Sequence, residues 1–129
     1  MSLNVSTALL EQAQQGEISK QDFLQCIKDS LPYAWGLIES LAQRLQNNGA
    51  TFVDNQVPPP SEQARGQLLR VLSSDAMRHA LEQHYGVKLA FQNCHRVALF
   101  KQDQLGSDYE EFITPRSQIL NQSPELRDC

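Results

Sequence analysis

The sequence predicts an α+β domain, mainly helical, with a small antiparallel β-hairpin or sheet packed on helices. Two changes of pattern carry this reading. Apolar residues recur at spacings of three and four through Phe23, Ile27, Leu31, Ala34, Ile38, Leu41 and Leu45, the period of one helical face. From Val87 the period becomes two: Val87, Leu89 and Phe91 alternate with Lys88, Ala90 and Gln92, as in a strand with two distinct faces. Helical pattern outweighs strand pattern, so the hairpin is read as a minor layer covered on one face by helices.

Each element follows in order. Ser6 and Gly16 bracket a short helix over residues 7–15, whose stripe of Leu9, Leu10 and Ala13 is weak. Ser19 stands three residues before Asp22, a variant of the capping box, and opens the best helix of the chain. Pro32 interrupts that helix after Ser30, a candidate cap, which predicts a kink or two helices meeting near Ser30. Gly49 after Asn47-Asn48 is a stop signal. Residues 51–54 lean towards β and form a candidate third strand. Pro58-Pro59-Pro60 excludes central-strand pairing there. Ser61 caps a helix bearing Ala64, Leu68, Val71 and Leu72, and Ser73-Ser74-Asp75 restarts one with Met77, Ala80, Leu81 and His84 inward. Gly86 fits its end. The hairpin covers about residues 87–101, with Asn93-Cys94-His95 as its connection. Ser107-Asp108-Tyr109-Glu110 reads as a capping box for a short helix ended by Pro115. A polar tail follows from about residue 115 and needs a docking surface to be ordered.

A chain of 129 residues with 40% hydrophobic side chains predicts one globular domain over residues 1–129. Eleven basic against fifteen acidic residues give a net charge of −4, which lacks the basic excess of a nucleic-acid footprint. Sixteen glutamines against four lysines make a polar but weakly charged surface. No run is long and apolar enough for a membrane span, and the start has no basic region followed by an apolar stretch. Three cysteines at spacings that fit no zinc pattern point to a reducing, cytoplasmic setting. No phosphate-binding, dinucleotide or nucleophile-elbow motif occurs, so the expectation is no cofactor, no metal and no catalytic residue.

The densest chemistry lies in Gln92-Asn93-Cys94-His95-Arg96. Adjacent residues of an extended backbone point to opposite faces, which separates Cys94 from His95 and argues against a nucleophile pair. Asp54, Arg65, Asn93, Cys94, His95 and Arg96 are the candidate ligand or partner site. The plainer alternative for Arg65 is a surface pair with Glu62, and for Asp54 a turn. Tyr33 and Trp35, at the Pro32 bend, are candidate interaction aromatics; as the one tryptophan of the chain, Trp35 is more readily a core residue.

The stretch Pro58-Pro59-Pro60-Ser61-Glu62 with Ala64-Arg65-Gly66, then Gly86-Val87 and Phe91-Gln92-Asn93-Cys94-His95-Arg96-Val97, resembles a small bacterial family of unknown activity, of the kind found in cyanobacteria. The resemblance covers about the middle third of the chain. It implies a soluble bacterial protein and carries over no catalytic residue. The functional expectation is a non-enzymatic protein-interaction or regulatory module, a candidate homodimer, with no nucleic-acid or membrane partner. The rival is a small-molecule-binding protein or small enzyme with a pocket between the 92–96 hairpin tip and the 54–65 segment.

Overall fold

The computed structural model describes residues 3–92 and 96–121. Helix α1 (Thr7–Gln15) is capped by Ser6, whose Oγ accepts the Leu9 N–H at 3.1 Å. None of its residues is buried. It is tied to the body by the segment before it: the Asn4 N–H donates to Ser30 Oγ at 2.8 Å, and Cys26 Sγ lies 3.6 Å from the Asn4 carbonyl. Ser19 caps α2 (Lys20–Ser30) through the Asp22 N–H.

Pro32 resolves the choice between a kink and two helices. Leu31 ends α2 and precedes α3 (Pro32–Asn47), with Pro32 in the first turn of α3, where a missing N–H costs nothing. Ser30 does not cap α3: Leu31 holds the cap position, and the Ser30 hydroxyl is engaged by Asn4. No side chain at the cap position bonds to the α3 N-terminus. Instead Gln67 Oε1 accepts the Tyr33 N–H at 2.6 Å and the Ala34 N–H at 3.3 Å. A neighbouring helix thus satisfies donors that a local cap ordinarily satisfies.

The third strand exists one residue later than expected, as β1 (Phe52–Asn55). Ser61 and Ser74 cap α4 (Glu62–Leu72) and α5 (Asp75–Tyr85). Gly86 closes α5 in the left-handed region at φ 66°, which glycine enters without a side-chain clash. Strands β2 (Val87–Gln92) and β3 (Arg96–Lys101) complete an antiparallel sheet of order β1-β3-β2. The register sets Phe52 opposite Phe100, Leu89 opposite Leu99 and Gln92 opposite Arg96.

The inner face of the sheet, with Val53, Val87, Leu89, Val97 and Leu99, packs into one core with Ile27, Leu31, Ile38, Leu41, Leu68 and Leu81 of α2 to α5. The outer face is covered as well, which corrects the expectation of a sheet covered on one side. Ala98 and Phe100 are buried beneath Phe112 of α6 (Ser107–Phe112), with Phe52, Ala90 and Tyr109 around them. Phe100 meets Phe112 and Tyr109 edge to face at 5.6 and 5.3 Å, the arrangement that ring quadrupoles favour.

Two further expectations are corrected. His84 is exposed, and Glu82 is the polar residue that α5 turns inward. Ser107 is the first residue of α6 and not its cap; Gly106 holds the cap position without a side-chain bond. The polar tail read from about residue 115 begins as α7 (Pro115–Leu120), in which Thr114 Oγ1 accepts the Ser117 N–H at 3.0 Å; residues beyond 121 lie outside the described residues. Proline suits that first turn because its fixed φ matches the helix.

Candidate functional site

Two of the residues singled out in the sequence meet. Asp54 of β1 and Arg96 of β3 form an ion pair at 2.9 Å, with about a fifth of each side chain exposed. Both lie on the outer sheet face, and β2 extends the pair. Arg96 Nη1 donates to Gln92 Oε1 at 3.1 Å. Gln92, only 2% exposed, donates through Nε2 to the Phe112 carbonyl at 2.6 Å and to Ser117 Oγ at 2.8 Å. The Arg96 guanidinium also lies 5.1 Å from the Phe112 ring centroid, within range of a cation–π contact. This network joins all three strands to α6 and α7. These hydrogen bonds and the ion pair hold the outer layer on the sheet.

Arg65 does not join it. Its Nη1 pairs with Glu62 Oε1 at 2.8 Å on α4, a one-turn surface pair of small energetic value. Asn93, Cys94 and His95 lie outside the described residues. Among the described residues no group of three metal-capable side chains occurs.

The aromatics at the Pro32 bend divide. Trp35 is 7% exposed and belongs to the main core; Tyr33 is half-buried, and burial raises its hydroxyl pKa. Trp35 Nε1 and Tyr85 Oη both donate to Glu39 Oε2, at 2.9 and 3.1 Å. Desolvation and the Glu39 carboxylate push the Tyr85 pKa well above its ordinary 10, since ionisation would set two anions side by side.

What sequence reasoning missed are the exposed apolar residues of the last two described helices and the turn between them. Ile113, Ile119 and Leu120 are 56%, 69% and 54% exposed, and α7 buries none of its residues. Ile113 lines a cleft with Phe91, Phe112, Thr114, Pro115 and Gln118. The pair Ile119-Leu120 was the available signal, but a polar tail gives no reason to expect it on a helix. Arg116, the basic residue of α7, is neutralised by Glu111 at 2.9 Å.

A family model described as the NucS shadow ORF, whose label carries the letters KH, matches residues 1–129. The chain belongs to this family. The match spans the whole chain, where the sequence resemblance covered only the middle third. Comparison with curated proteins and with solved structures gave no match. No described helix is long and apolar enough to cross a membrane.

Proposed function

We propose that this member of the NucS shadow ORF family is a non-enzymatic protein-interaction module, and that its interaction surface is the α6–α7 face, used in a homodimer. One observation carries the reading: three large apolar side chains, Ile113, Ile119 and Leu120, are more than half exposed within a short stretch of chain. Clustered exposed apolar surface marks contact sites more often than scattered single residues do. A second copy is the fitting partner because the patch is apolar and its flanking Arg116–Glu111 pair is internally neutral. The apolar side chains complement themselves across a two-fold axis when the exposed Asp108 and Glu110 of α6 stay outside the contact.

Nucleic acid is the less favoured partner. KH modules clamp a nucleic-acid backbone with a GXXG loop. The glycines here are Gly16, Gly36, Gly49, Gly66, Gly86 and Gly106, and no two are three apart. The connection between α4 and α5 is Ser73-Ser74, and the net charge is −4. A small-molecule pocket around Asp54 and Arg96 is less favoured for another reason: the two side chains already satisfy each other. A bacterial, cytoplasmic setting is part of the same proposal, supported by the cysteine usage and by buried, free Cys26.

The test is the molar mass of the purified chain by light scattering, with and without Ile119→Lys. The wild type is expected to run as a dimer and the variant as a monomer of unchanged helicity. A wild type that stays monomeric at all concentrations defeats the homodimer reading.

A further inference from the structure

Gly86 joins α5 to β2, and one side chain of α5 turns back across that junction onto the strand. Glu82 is 6% exposed. Its Oε2 accepts the Leu89 N–H at 2.9 Å, and Lys88 Nζ lies 3.6 Å from the same oxygen. Strand β2 is an outer strand, because β3 lies between it and β1. Along a strand, successive N–H groups point to alternate sides. The Leu89 N–H points to the open side, and the Glu82 carboxylate stands where the carbonyl of a fourth strand would stand.

We infer that Glu82 is an edge guard: it occupies the hydrogen-bonding position through which β2 would otherwise pair with the β2 of a second copy. The strand itself shows why a guard is needed. It reads Val-Lys-Leu-Ala-Phe-Gln over six residues, with no proline and one charge. Long, apolar, proline-free edges are templates for pairing with another chain, and folded proteins blunt them with charges, proline or short length. The other edge, β1, is short at four residues. The one charge on β2, Lys88, faces Glu82, so the guard lies on α5 and not on the strand. A second copy is the occupant guarded against, because two identical edges pair antiparallel about a two-fold axis and satisfy each other's open groups.

Glutamine keeps an acceptor at the same position, whereas alanine removes it and leaves the Leu89 N–H open. Wild type, Glu82→Gln and Glu82→Ala are compared by sedimentation velocity over a dilution series. The β2 edge adjoins the α6–α7 face, since Ile113 lines clefts with Phe91 and with Leu89, so the comparison is also made in the Ile119→Lys background, which separates this pairing from the proposed dimer. Glu82→Ala should self-associate about tenfold or more tightly than the wild type, and Glu82→Gln should not. Where Glu82→Ala fails to fold, Glu82→Asp replaces it; the shorter side chain withdraws the acceptor but keeps the charge. Hydrogen exchange on the wild type gives a second readout, in which the Leu89 amide is protected. Unchanged association in the folded alanine or aspartate variant overturns the inference. So does a Leu89 amide that exchanges as fast as an unstructured one.

Discussion

Gln67 carries a role its residue type does not advertise. Its side-chain oxygen accepts two N–H groups at the start of α3 from a position on α4. Removing it leaves two helix-terminal donors without their partner. Gln67→Ala should lower stability by about 1–2 kcal/mol, measured by urea unfolding. Gln67→Glu should lose less, since a carboxylate near a helix N-terminus is favoured by the helix dipole. Tyr85 supplies a pH signature. Its pKa is raised in the folded chain, so the native state holds that proton more tightly than the unfolded state does. The associated stability is fully present below the unfolded value near 10 and is lost as pH rises through the higher folded value. A Tyr85→Phe variant should therefore show a shallower alkaline loss of stability than the wild type in thermal melts taken above about pH 10. Equal slopes would remove Tyr85 from the account.

Elements differ in how far the sequence discloses them. Helices α2, α4 and α5 were legible because caps and apolar periods agree: Ser19, Ser61 and Ser74 each accept a backbone N–H from the residue three along. The hairpin was legible from its period of two. The outer layer was not. Phe112 is a single buried aromatic in a six-residue helix, too short for any period to emerge. What fixes α6 is tertiary: Phe112 packs on Phe100, and its carbonyl accepts a hydrogen bond from Gln92, far away in sequence. The candidate site was half legible for the same reason. Asp54 and Arg96 are 42 residues apart, and only the β1–β3 register brings them together. Phe112→Ala should cost about 3 kcal/mol, from lost transfer energy and the cavity left behind. It should also detach α6 from the sheet, seen as fast exchange of the α6 amides before global unfolding.

At the scale of the whole molecule, the sheet separates two apolar layers of unequal size. The inner layer gathers four helices, while the outer rests on α6 with Tyr109 and Phe112. Along β3 the four central residues belong to the two layers in alternation: Val97 and Leu99 inward, Ala98 and Phe100 outward. A slip of one residue would bring Phe100 into the place of Leu99 and Ala98 into the place of Val97, which overfills one site and empties another. Burial on both faces therefore fixes the register without help from a particular turn.

Strand order also has a consequence in time. The strand that joins the sheet is the last of the three to be synthesised, and among the described residues β1 and β2 are each paired only with β3. Until residue 101 has left the ribosome, the hydrogen-bonding edges of both earlier strands lack their full native mate. The hairpin can close locally once β3 emerges, but β1 must recruit it across the two helices between them, a slower, non-local step. The growing chain therefore passes through a stage in which helices are available and the sheet is not, when exposed strand edges are most prone to foreign pairing. A fragment of residues 1–92 is expected to retain helical circular dichroism and to lack the sheet altogether.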